Sequence, residues 1–178
     1  MRVIIAFVFT LAAVSSALAD DVDWKMYVGA TADPPSFCFY DANGITIAHD
    51  GYVRVWTKCL HKVDLESEFF KGDRGRQILD NAAKKVNDGY VPPIVAIGTM
   101  SVKQSVDVIA YEESANLGDS DERARFSLEL SCSARMQRSL GSYVKASDRA
   151  GFVPKPGDWE RVPPEGKEAN LQKILCPK

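Results

Sequence analysis

The residues of this chain whose types could do chemistry are four cysteines and two histidines, and their spacing decides which chemistry. Cys38, Cys59, Cys132 and Cys176 form no C-x-x-C pair, and neither His49 nor His61 has a cysteine at ligand-like spacing. A redox motif and a zinc site therefore do not fit. An even number of cysteines in an exported chain reads instead as two structural disulfides. Of the three possible pairings, Cys38–Cys59 with Cys132–Cys176 is favoured. It closes loops of about 20 and about 45 residues, each stabilising by about 3–4 kcal/mol in the chain-entropy model. A Ser-His-Asp arrangement would have to draw on His49, Asp50 and Ser36, but His49-Asp50 reads as turn geometry. His61 ends a strand, where an edge side chain is the simpler reading than a general base. Asp119, Asp121 and Glu122 lack the glycine and distal glutamate of a calcium loop. Lys71, Arg74 and Arg76 read as a solvated helix start. No catalytic residue, cofactor or metal ligand is assigned.

The N-terminus carries an export signal. Met1-Arg2 supplies a positive charge, residues 3–14 are almost wholly apolar, and Ala17-Leu18-Ala19 is a small-x-small cleavage site. The apolar run falls short of the roughly 20 residues that span a bilayer. Cleavage between Ala19 and Asp20 is expected. Asp20 is not a cysteine, so no lipidation is indicated there, and stable membrane insertion after signal removal is not expected. The destination would be the periplasm, the cell surface or the medium. With 22 basic and 24 acidic residues, a formal charge of −2 and a pI near 5.7, the chain has no basic footprint for nucleic acid.

These residues need elements to hold them. At 178 residues, 46% hydrophobic and 26% charged, the composition is that of an ordinary globular chain. Strands are expected at 23–31, 36–41 and 52–62, with turns at Ala42-Asn43-Gly44 and His49-Asp50-Gly51 and a short extended stretch at 45–48. In the third strand Val53, Val55, Thr57 and Cys59 share one face, while Tyr52, Arg54, Trp56 and Lys58 share the other. Tyr52 and Trp56 thus lie away from the assumed core, either beneath the long central segment or as an exposed aromatic patch. A helix capped by Asp73 is expected over 74–88, ending at Gly89. A strand near 95–103, a helix from Ser105 and a loop over 116–123 follow. Phe126, Leu128, Leu130 and Cys132 alternate with Ser127, Glu129, Ser131 and Ser133, which predicts an antiparallel strand with one wet face. Its neighbour is 138–146, residues 152–157 read as a Pro-rich loop, 159–162 is extended, and a final helix spans 165–176.

Read in order, Trp24, Tyr40-Asp41, Ile45, Val53-Arg54-Val55-Trp56, Leu130-Ser131-Cys132, Arg135, Gly157-Asp158-Trp159, Val162-Pro163-Pro164-Glu165-Gly166 and Leu175-Cys176 form a pattern. It resembles the surface-adhesin protein E family of Gram-negative bacteria, over residues 22–62 and 126–176. The resemblance implies a small antiparallel sheet with a helix packed on it, and a bond between Cys132 and Cys176. It also implies a protein partner, since members of that family bind host matrix and plasma proteins such as vitronectin, laminin and plasminogen. Three features depart from the pattern: the longer segment 64–122, the extra cysteines Cys38 and Cys59, and the missing lipidation cysteine. No binding residue carries over.

The expectation is therefore a signal peptide over 1–19 and a single adhesin E-like α+β domain over 20–178 with a helical central insertion around 64–122. The domain is a small antiparallel sheet with helices packed on one face, stapled by disulfides. The expected function is non-enzymatic protein binding at the envelope or surface, by contact with a host matrix or plasma protein. The alternative is an accessory or stress-related periplasmic protein that meets only envelope partners.

Overall fold

In a computed structural model, the chain is described over residues 22–31, 36–48, 50–61, 72–96, 100–117, 125–146 and 149–176. Residues 1–19, where a signal segment is expected, Asp20 beside the expected cleavage after Ala19, His49, Lys71 and the acidic residues Asp119, Asp121 and Glu122 lie outside these residues.

The strands are β1 (Trp24–Thr31), β2 (Ser36–Asp41), β3 (Thr46–Ile47), β4 (Val53–His61), β5 (Arg125–Ser131), β6 (Met136–Ala146), β7 (Arg149–Pro154) and β8 (Glu160–Arg161). The helices are α1 (Gly72–Asn87), α2 (Pro93–Ala96), α3 (Val102–Leu117) and α4 (Lys167–Leu175). The eight strands form one antiparallel sheet in the order β1-β2-β4-β5-β6-β7, with β3 beside β4 and β8 beside β6. The α+β class, the antiparallel sheet and both disulfides are as expected.

Strands β1 and β2 are apolar on both faces, so both faces need cover. On one face Trp24, Met26, Phe37, Phe39 and Leu60 meet Ile94 of α2 and Val108 and Ala115 of α3. On the other, Tyr27, Val28, Tyr40, Val53, Val55 and Leu130 meet Leu171 of α4. The expectation of helices on one face is corrected, because both faces are apolar: α3, backed by α1 through Ile78, Ala82 and Ile109, covers the first, and α4 covers the second. An irregularity in β1 between Met26 and Val28 turns both Tyr27 and Val28 toward the α4 side.

Helix α1 ends as expected at Gly89, where a φ of 89° lets the chain turn back and Tyr90 N–H bonds to the Lys85 carbonyl. The reading of 95–103 as strand is corrected at 95–96 and 102–103, and that of 116–123 as loop at 116–117; residues 97–99 and 118–123 lie outside the described residues. Residues 93–96 are helical, and α3 runs from Val102 to Leu117. The reason is a capping box: Ser101 Oγ accepts the Gln104 N–H at 3.3 Å, and Gln104 Oε1 accepts the Ser101 N–H at 2.8 Å. The Pro-rich stretch 152–157 is corrected at 152–154, while 155–157 are irregular as expected. Residues 149–154 form β7, paired along β6 from Ala146 to Gly141, and its proline sits at the strand's last position.

Helix α3 also seals the free edge of β1. Glu112 Oε1 accepts the Met26 N–H at 2.9 Å, Asn116 Oδ1 accepts the Trp24 N–H at 2.8 Å, and Asn116 Nδ2 donates to the Trp24 carbonyl at 3.3 Å. Unpaired strand donors are thereby satisfied by side chains. Burial raises the Glu112 carboxyl to about 7, opposed by the Met26 N–H and by Lys25. Burial works against the Lys25 charge, yet Asp23, Tyr90 and Glu112 together hold its pKa above the usual lysine value.

Candidate protein-binding face

The helical cover reaches only part of its sheet face. Over β1, β2 and the end of β4, α3 lies on the strands, and Lys58 is buried with Nζ donating to the Ala115 carbonyl at 3.1 Å. Further along the same face, the register places Arg54 of β4 beside Glu129 of β5, and Glu129 beside Arg138 of β6. Glu129 is fully buried, at 0% exposure. Arg54 Nε bonds to its Oε1 at 2.6 Å, while Arg138 Nε and Nη2 bond to its Oε2 at 2.7 and 2.5 Å. Two guanidinium groups bracket one carboxylate, so the row keeps one net positive charge. The arginine side chains remain 47% and 30% exposed, which leaves part of each fork facing outward.

Aromatic rings frame this row. Arg138 lies over Trp159 at 4.7 Å, and Trp159 meets Tyr52 at 4.9 Å. Trp56, next along the β4 face, meets the edge of Phe152 at 5.6 Å. Tyr52 and Trp56 are half-buried, and Phe152 is 46% exposed. The predicted aromatic pair is thus present but wider than expected. Its described ring partners come from β7 and from the stretch before β8, rather than from α1 or α3. Each ring also locks a cation or a neighbouring ring in place, which lowers the entropy lost when a partner docks.

The wet face expected for β5 is not there. Ser127, Glu129 and Ser131 are all buried, whereas Phe126 is 47% exposed. The flanking arginines cover Glu129, and hydrophobicity alone could not report that. The β4 faces shift similarly. Val53, Val55 and Thr57 are buried as expected, but Cys59 is exposed and Lys58 is buried. Cys38 and Cys59 are direct cross-strand partners with Cα atoms 4.1 Å apart, and their bond forms. Cys132 and Cys176 are bonded with Cα atoms 5.4 Å apart, tying the end of β5 to the end of α4. Sequence reasoning missed Glu129, Arg138 and Trp159 as members of one site. The signal present was opposite charge on strands of matching alternation, which becomes a contact only once the register is known.

His49 lies outside the described residues, and Ser36 Oγ lies 3.2 Å from His61 Nδ1. The two are register partners at the exposed end of β2 and β4, and no carboxylate orients His61 among the described contacts. Arg76 pairs with Asp73 at the exposed start of α1, and Arg74 is exposed there. Among the described residues no group of His, Cys, Asp and Glu is arranged to hold a metal ion, and no helix is long and apolar enough to cross a membrane. Compared with known proteins, the chain matches no family model, no curated protein and no solved structure.

Proposed function

We propose that the chain is an exported, non-enzymatic envelope or surface protein that works by binding another protein through the Arg54–Arg138–Trp159 face. The observation that carries this reading is the composition of that face. Tyrosine, tryptophan and arginine are the residues that dominate binding energy at protein interfaces. Here two arginines are pre-aligned by a buried glutamate and one is held by a ring. Its excess positive charge suits an acidic partner surface with apolar projections. Two disulfides fit an extracellular or periplasmic setting. The motif order shared with the surface-adhesin protein E family supports a host matrix or plasma protein as the partner. The periplasm supplies the oxidising conditions equally well, which supports the second reading, an accessory protein with an envelope partner.

The oxidised protein should bind immobilised vitronectin, laminin or plasminogen saturably at micromolar concentration, and Trp159→Ala should weaken that binding about tenfold or more. Protease treatment of intact cells should destroy it. Absence of saturable binding together with full protection in intact cells removes the adhesin reading. In that case the accessory reading requires cross-linking to an envelope protein that Trp159→Ala abolishes.

A further inference from the structure

A second feature lies at the Cys132–Cys176 end of the molecule. A groove of about 920 Å³ runs between the turn after β5, the β8 segment and one side of α4. Its apolar lining includes Val162, Pro163, Pro164, Ala169 and the disulfide itself, and its charged lining is Arg135, Arg161 and Lys173. Among the described residues no aspartate or glutamate lines it, in a chain whose net charge is −2. Among the described residues none of the three cations is in an ion pair. All three are exposed at the groove.

The cations are brought together by the backbone. Met136 of β6 pairs with Arg161 of β8, and the Val162 N–H bonds to the Arg135 carbonyl at 3.0 Å. Arg135 and Arg161 therefore flank the same strand pair. Lys173 projects from the α4 side that also contributes Ala169 and Cys176 to the wall. Arg135 has a φ of 54°, the one described non-glycine residue with positive φ. A long charged side chain occupies a position where glycine would be at ease.

We propose that this groove binds an acidic peptide segment of a partner protein, independently of the sheet face. The arginine forks take carboxylates, Lys173 adds a third charge, and apolar side chains of the segment lie on Val162 and the two prolines. The volume is at the upper end of the range for bound small ligands, which suits a short segment better than a lone anion. A concave, proline-walled groove also does not fit a flat membrane surface. Pro163 and Pro164 offer the acid no backbone N–H, and Arg135, Arg161 and Lys173 are the charged groups that would take it.

The test uses the oxidised full chain and a short fluorescein-labelled peptide of alternating glutamate and leucine, read by anisotropy. The same peptide with glutamine is the control. The glutamate peptide should bind saturably, more weakly as salt rises, and the glutamine peptide should bind at least about tenfold less tightly. Arg161→Gln and Lys173→Gln should each weaken binding about tenfold. Arg135→Gly should weaken it similarly without lowering the melting temperature, since glycine takes the positive φ freely, so lost binding cannot be lost folding. Trp159→Ala should leave it unchanged. Equal binding of both peptides overturns the proposal, as does unaltered binding in Arg135→Gly and Arg161→Gln. So does binding of inorganic tripolyphosphate or phosphatidylglycerol vesicles in preference to the glutamate peptide, or self-association that these variants abolish.

Discussion

The two halves of the sheet face that carries α3 each bury a charged side chain, and they do it differently. On the β1–β2 side Lys58 lies 4.2 Å over the Trp24 ring and donates to a helix carbonyl. There a secondary-structure element closes over the charge, and α3 even takes the free backbone groups of β1. On the β5–β6 side Glu129 is buried by two arginine side chains from its own sheet. An element used as cover leaves little for a partner to touch. Side chains used as cover keep an outer surface, so the arrangement that removes Glu129 from water presents guanidinium and indole groups to it.

The largest test of this contrast is Glu129→Ala. It leaves two arginines facing each other, and the expected loss is about 3–5 kcal/mol in urea unfolding. Lys58→Met keeps the stem volume under α3 and should cost about 1 kcal/mol or less. Equal losses at the two sites would break the comparison.

The next largest effect depends on pH. Burial raises the Glu112 pKa to about 7 in the folded chain from an ordinary glutamate value of 4.5, so the folded state holds its proton more tightly. Its contribution is fully present below the unfolded value and is lost as pH rises through about 7, on the order of 3 kcal/mol. Stability should therefore fall between about pH 5 and about pH 8. Glu112→Gln keeps an acceptor for the Met26 N–H and should flatten that fall. A slope unchanged in Glu112→Gln would show that Glu112 is not its source.

Smaller still, Asn116→Ala should cost about 1–3 kcal/mol by stripping the Trp24 backbone groups of their partner, and should raise amide exchange at the β1 edge. At the bottom of the scale, Arg54→Ala should cost about 1 kcal/mol or less, because Arg54 is half exposed and Arg138 still holds Glu129. A cost above that of Asn116→Ala would mean that Arg54 is cover and not contact surface.

Local patterns were legible where one residue answers to its neighbours in the chain. The alternation of β4, the Asp73-to-Gly89 helix and the Asn43-Gly44 turn all appear near their expected places. The capping box at Ser101 and Gln104 is equally local, and its two reciprocal hydrogen bonds start α3 at Val102. Strand β7 was not legible in the same way. Residues 149–154 become a strand because β6 offers them a long edge to pair with.

By itself the sequence determined the α+β class, the strand faces of β4 and β5 as alternating sets, and the positions from which the cysteines pair. Period-2 alternation names two faces but not which one a helix covers, nor which strand lies alongside. Tertiary structure alone decided that Arg54, Glu129 and Arg138 stand in one row, that Trp159 joins Tyr52, and that Arg135, Arg161 and Lys173 line one groove. The physical reason is that burying a charge depends on a partner distant in the chain. Only the register of paired strands brings that partner within hydrogen-bonding reach.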